Sequence, residues 1–279
     1  MNSINLQGKI DQPTIELFKL VNRIAVTLDM PYLVVGATAR DIVYHYRFGT
    51  PIRRATTDTD FGVQVRSWEE LASMSAMLVS EGFKSTESPH RFICPNNTKL
   101  DIVPFGSIQD EKANISWPPN GDVEMNVLGF QEALDNAFQV KVDNCPTVHI
   151  PVASPQGLML LKIIAWRDRP RDMRARDALD IAYLLEHYEQ DQDIVTRLYE
   201  DNIVEQYGYD VRLGCAHLLG IDAGSIASES TKKRITGILG QNFKLEDGNL
   251  IVEEMCTNID AEYEINLAKL KAFSDGFGK

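Results

Sequence analysis

Apolar residues recur at two spacings along the chain, and the change between them divides it. Over residues 13–28, Ile15, Leu17, Phe18, Val21, Ile24, Ala25 and Leu28 follow the three-and-four rhythm of a helix with one buried side. Residues 31–35 form a short apolar run that stops at Gly36 and reads as a buried strand, and residues 39–46 return to helical spacing. Residues 61–65 predict a strand, 68–81 a helix halted by Gly82, and 92–94 and 99–105 two more strands. Pro118-Pro119-Asn120-Gly121 predicts a turn, and residues 137–142 and 148–152 predict strands. From Ser154 onward only helical spacing remains, over residues 155–166, 176–188, 194–207, 211–219, 225–239 and 261–273. The pattern predicts an α+β protein with a mixed α/β domain over residues 1–150 and a helical domain over 151–279.

Length supports two domains, since 279 residues at about 150 per domain give about two. With 44% hydrophobic and 24% charged residues the chain is able to bury cores, which excludes general disorder. Lys and Arg number 28 against 40 Asp and Glu, a net charge of −12. That balance excludes a general nucleic-acid coat, which needs a broad basic surface, but leaves room for one local basic site. No apolar run reaches the roughly 18 residues of a membrane span, and residues 1–13 carry no apolar signal core. Cys94, Cys145, Cys215 and Cys256 lie far apart without metal-ligand spacing. Reduced thiols in a cytoplasmic protein are expected.

Three segments of the first half carry candidate chemistry. In Val34-Val35-Gly36-Ala37-Thr38-Ala39-Arg40-Asp41 a buried strand stops at a glycine and a helix follows at once. Gly36 lets backbone approach a ligand, and the free amides of the new helix, with the Thr38 hydroxyl, suit a phosphate. Such turns are also common as plain structure. In Thr57-Asp58-Thr59-Asp60-Phe61-Gly62-Val63, strand alternation points Asp58 and Asp60 the same way. Paired carboxylates repel unless a cation lies between them, and Mg²⁺ (or Mn²⁺) favours carboxylates with substrate phosphates. The plain alternative is an acid pair at a strand entrance.

In Lys99-Leu100-Asp101-Ile102-Val103-Pro104, Asp101 points away from the face shared by Leu100 and Ile102. It either pairs with an arginine such as Arg91 or joins Asp58 and Asp60, where a third acid also serves as general base. His90, beside Arg91, and the Trp117-Pro118-Pro119 loop are more simply structural.

The second half adds Lys162, inside an otherwise apolar helix and so in need of an anion. Pro170 ends that helix, and Arg167, Arg169, Arg171, Arg174 and Arg176 gather around the break. On the next helix Asp177 and Asp180 are neighbours, and Arg176 stands four before Asp180. Ala178, Ile181, Ala182 and Leu185 form its buried stripe. The plain alternatives are a snorkelling Lys162 and arginines paired with Asp168 and Asp172 on a solvated face.

Read in order, the Gly36 turn, Asp58-x-Asp60 and Asp101 resemble the nucleotidyltransferase superfamily that includes DNA polymerase beta. The departure is Ala37-Thr38, where that superfamily has Gly or Ser directly after the first Gly. Lys162 followed by an Arg-rich turn and Arg176-Asp177-x-x-Asp180 is similar to the AbiEii-type toxins. The resemblance implies a mixed-sheet catalytic domain followed by a helical domain that adds nucleotide and acceptor contacts. It implies Asp58, Asp60 and Asp101 as catalytic metal ligands, and Gly36, Ala37, Thr38, Arg40, Lys162 and Arg176 as nucleotide contacts. It also implies one essential helical acid, Asp177 or Asp180; Asp177 is preferred because Asp180 is explained by pairing with Arg176.

The implied activity moves a nucleoside monophosphate from NTP to an acceptor hydroxyl with release of pyrophosphate. The implied acceptor is an RNA, the tRNA 3′ end, for a cytoplasmic toxin with a cognate antitoxin and no membrane partner. Two alternatives stand beside it: a small-molecule, antibiotic-type nucleotidyltransferase, or a catalytically silent fold member that binds nucleotide or a partner.

Overall fold

The computed structural model describes residues 4–52, 58–144, 147–244 and 249–279. Thr57 and Cys145 lie outside them. The chain falls into two compact units, Met1–Ser154 and Pro155–Lys279.

In the first unit, α1 (Gln12–Thr27) starts at Asp11, whose side chain accepts from the Thr14 amide, and buries Ile15, Phe18, Val21, Ile24 and Ala25. β1 (Tyr32–Val35) is buried along its whole length. It is followed by α2 (Gly36–Val43), α3 (His45–Phe48), β2 (Asp58–Val65) and α4 (Trp68–Ser80). Then come β3 (Lys84–Ser85), β4 (Arg91–Ile93), β5 (Lys99–Gly106), β6 (Asn114–Ser116), β7 (Glu124–Asn126), α5 (Phe130–Asp135), β8 (Phe138–Asn144) and β9 (Thr147–Val152).

Among the described residues, one mixed sheet runs in the order β3-β4-β5-β2-β1-β9-β8, with β6 and β7 as a separate pair. β2 lies antiparallel to β1 and parallel to β5. On one face Phe61 of β2 meets Phe18 of α1 edge-on at 6.2 Å between ring centres. On the other, a Cβ at Gly62 would strike the Phe130 ring at 2.7 Å, so that glycine is what lets α5 close on the sheet.

The second unit is helical: α6 (Pro155–Asp168), α7 (Arg171–His187), a 3-10 turn, α8 (Gln192–Glu200), α9 (Ile203–Gln206), α10 (Val211–Ile226), α11 (Glu229–Asn242), α12 (Leu250–Met255) and α13 (Ile259–Phe277). α10 and α13 pack with their backbones nearly touching. A Cβ at Gly220 would meet the Phe273 carbonyl oxygen at 2.1 Å, and one at Gly276 the His217 carbonyl oxygen at 2.1 Å.

Three helical expectations change. The expected helix at 176–188 begins five residues earlier, at Arg171, behind Pro170 as cap. The expected helix at 194–207 is two, broken at Asn202, which takes a left-handed φ of 55°. Residues 225 and 226 end α10, and α11 starts afresh behind Ser228, whose hydroxyl accepts from the Thr231 amide. No helix among the described residues is long and apolar enough to cross a membrane.

Candidate active site

Strand register assembles the acids of the first unit. Asp60 and Asp101 are direct neighbours on the parallel strands β2 and β5, so their side chains share a face, and Asp58 stands two residues before Asp60 on that same face. On the far side of β2, Asp60 is opposite Val35, the last residue of β1. The chain then turns at Gly36 with φ +70°, and a Cβ there would lie 2.2 Å from Asp60 Oδ2. Only glycine allows the turn to sit against that carboxylate.

Arg91 is opposite Asp101 on the antiparallel neighbour β4. Its Nε donates to Asp101 Oδ1 at 2.7 Å and its Nη2 to Oδ2 at 2.6 Å, a two-pronged grip on a nearly buried carboxylate. Nη2 also lies 3.8 Å from Asp58 Oδ2. The hydrogen bonds to Asp101 raise the Arg91 pKa, so the guanidinium stays charged. Asp101 is thus paired with Arg91 and at the same time stands in register with Asp60, so both placements open to it from the sequence are met in geometry.

Among the described residues, no three His, Cys, Asp or Glu side chains converge as a ready-made metal cage. The donor chemistry nonetheless fits a hard divalent cation. The two β2 carboxylates supply only oxygen, and sites of this kind take their remaining ligands from substrate phosphates and water.

The second unit holds a separate ionic cluster. Lys162 of α6 reaches across to α7, with Nζ 3.0 Å from Asp177 Oδ1 and 2.6 Å from Asp180 Oδ2. Arg169 Nη1 grips Asp177 from outside at 2.8 Å. Asp177 is fully buried. Burial alone would lower the Lys162 pKa; the carboxylates of Asp180 and Asp177 outweigh it and leave the pKa raised, so the ammonium persists. Beside the cluster, Glu254 of α12 accepts from Trp166 Nε1 at 2.7 Å and Arg174 Nε at 2.9 Å, which ties α12 to α6 and α7.

A family model described as nucleotidyl transferase AbiEii toxin, type IV toxin–antitoxin system, matches residues 20–245. The chain belongs to the AbiEii nucleotidyltransferase toxin family. It is a nucleotidyltransferase, with an NTP as donor and an antitoxin partner implied by its system.

No curated protein matches the chain. Among solved structures it is similar to the antibiotic-resistance factor ANT(2″)-Ia in solution, at 13% identity and TM-score 0.39, over 85% of this chain and 97% of that one. It is also similar to the crystal structure of ANT(2″)-Ia with adenylyl-2″-tobramycin, at 12% and 0.36, over 58% and 81%. A third likeness is to the Thermotoga maritima CCA-adding enzyme complexed with tRNA, at 12% and 0.28, over 98% and 82%.

Within this AbiEii chain several expected contacts are placed differently. Arg40 is buried at 3% exposure, with Nε and Nη2 both on Asp41 Oδ1 at 2.9 and 2.7 Å; that fork is turned onto its neighbour. Thr38 donates its hydroxyl to the Asp58 carbonyl at 3.3 Å, which binds α2 to the start of β2, and Ala37 is buried beside it. Asp180 pairs with Lys162 rather than Arg176, so the ground for preferring Asp177 falls away. Arg176 is exposed. Asp168 pairs with Arg234 of α11. The Arg169 clamp on Asp177 and the Glu254 junction had no signal in apolar spacing, because polar groups make both; the first spans the Pro170 break, and the second joins residues far apart in sequence.

Proposed function

We propose that this chain transfers a nucleoside monophosphate, with divalent-metal assistance, from NTP to an RNA hydroxyl, the 3′ end of tRNA. The observation that carries the reading is the register of Asp60 with Asp101, with Asp58 on the same face and the Gly36 turn packed against Asp60. Asp58 and Asp60 would hold the ion, which when bound neutralises triphosphate charge. The Gly36 turn offers the first amides of α2 to phosphate oxygens.

Asp101 is held in one orientation by Arg91, and the two guanidinium bonds use about half of a carboxylate's acceptor positions. The remainder is free to accept the proton of the attacking hydroxyl. That oxygen forms a bond to the α-phosphorus, the bond from phosphorus to the bridging oxygen breaks, and pyrophosphate leaves. Lys162, with Asp177 or Asp180 orienting it, and Arg176 are the contributors proposed from the helical unit.

The test is incubation of the protein with radiolabelled NTPs, Mg²⁺ and total tRNA. Label is expected on RNA, and Asp58→Asn with Asp60→Asn is expected to abolish it with an unchanged melting temperature. NTP consumption that survives the double substitution would sink the mechanism. Label on an aminoglycoside with none on RNA would move the acceptor to a small molecule.

A further inference from the structure

The register that gathers the acids also gives the site two flanks, since Asp60 on β2 has β1 on one side and β5 on the other. On the β1 flank the Gly36 turn packs against its carboxylate, where the first amides of α2 are proposed for the donor phosphates. On the β5 flank stands Asp101, proposed to accept the proton of the attacking hydroxyl. In an in-line transfer the attacking and leaving oxygens lie on opposite sides of the phosphorus. The pyrophosphate therefore belongs to the first flank and the acceptor to the second.

Lys99 opens β5 on the acceptor flank. It is opposite Asp58 in the register of β2 with β5 and two residues before Asp101, so the three side chains share one face. Two strand residues separate Lys99 from Asp101 by about 7 Å, a distance one nucleotide spans. Lys99 is half-buried, and among the described residues its ammonium forms no ion pair and no hydrogen bond. Arg40 and Arg91 are by contrast committed to Asp41 and Asp101.

From this placement we propose that Lys99 is an acceptor-binding residue: it takes the last phosphodiester of the RNA while Asp101 receives the terminal hydroxyl. The inference rests on the RNA-acceptor reading above. Charge distinguishes the acceptors, because an ammonium here attracts a phosphodiester and repels a polycationic aminoglycoside. Lys99 makes no contact with a base edge in this arrangement, so it confers affinity without sequence preference.

The experiment compares the full-length protein with Lys99→Gln and Lys99→Arg on two acceptors: ordinary tRNA, and tRNA whose last linkage is a neutral methylphosphonate. It measures labelling kinetics, NTP affinity and the salt dependence of tRNA binding, with a thermal melt as folding control. For the wild type, KM is expected to rise about tenfold on the methylphosphonate acceptor. Lys99→Gln should show that rise already on ordinary tRNA and no further rise on the modified one, with a salt slope lower by about one and NTP affinity kept. Lys99→Arg should stay near the wild type. A purely structural role would lower the melting temperature and leave the sensitivity to the modified linkage intact.

A wild type indifferent to the methylphosphonate, or a Lys99→Gln protein as sensitive to it as the wild type, overturns the proposal and leaves the RNA reading standing. A Lys99→Gln protein that loses NTP affinity instead of tRNA affinity overturns it and gives the lysine to the donor. No labelling and no binding of tRNA by the wild type overturns both readings.

Discussion

At the scale of single residues the most constrained position is Gly36. Its φ of +70° costs an L-residue about 1–2 kcal/mol, and a Cβ would press into the Asp60 carboxylate at 2.2 Å. Gly36→Ala is therefore expected to lower stability by about 1–3 kcal/mol. It should also displace Asp60 and cost most of the transfer activity. Urea melts and tRNA labelling check the two effects, and an active Gly36→Ala protein would show that the turn and the carboxylate do not act together. The sequence already showed this glycine at the end of a buried run, and it showed that Asp58 and Asp60 share a face. It was silent on the packing of one against the other, because that contact depends on which strands pair, and with α2 and α3 between β1 and β2 no hairpin turn in the sequence announces their pairing or register.

At the scale of elements, the join between α6 and α7 is ionic at its centre. Lys162 answers two carboxylates whose side chains are at most 4% exposed. Removing the ammonium leaves them buried and repelling one another, so Lys162→Met is expected to cost about 3–5 kcal/mol. Adding Asp177→Asn and Asp180→Asn to that variant should recover much of the loss, and denaturant melts of the single and triple variants measure it. The spacing of Lys162 with the two aspartates was visible in the sequence, but the start of α7 was not. Four of the six residues 171–176 are charged and none of the six belongs to the buried stripe, so hydrophobic period could not see that turn, and the Asp180–Arg176 pairing assumed from i,i+4 spacing lost to a better-buried lysine.

The α10–α13 contact gives a second test. His217 is buried, with Nδ1 2.9 Å from Tyr207 Oη and 3.2 Å from the Ala272 carbonyl oxygen. Burial, and then the Lys279 charge, lower its pKa below the usual 6.5. The unfolded chain then binds the proton more readily than the folded one. Stability is present in full above about pH 6.5 and is lost as pH falls towards the lowered folded value. Melts at pH 7.5 and 5.5 should show this loss, and His217→Gln should remove that part of it.

At the scale of the whole molecule, the change from mixed to purely helical spacing near Ser154 was the most legible feature, because burial period is a long-range average that single exceptions do not erase. Each unit has its own buried set, Phe18, Leu33 and Phe61 in the first and Trp166, Tyr183 and Phe273 in the second. Each also has a size, roughly 50–200 residues, at which one core suffices. Residues 1–154 and 155–279 expressed separately are therefore each expected to melt cooperatively.

Their activities discriminate more sharply. The paired acids and the Gly36 turn lie in the first fragment, and Lys162, Asp177 and Asp180 in the second. If the helical residues belong to the transfer machinery, neither fragment alone labels tRNA, although the first still binds Mn²⁺ through Asp58 and Asp60, as relaxation of water protons would detect. Transfer by residues 1–154 alone would reduce the Lys162 cluster to a structural brace. A folded first fragment that binds no metal ion, and loses nothing on Asp58→Asn with Asp60→Asn, would remove the carboxylate pair from the mechanism.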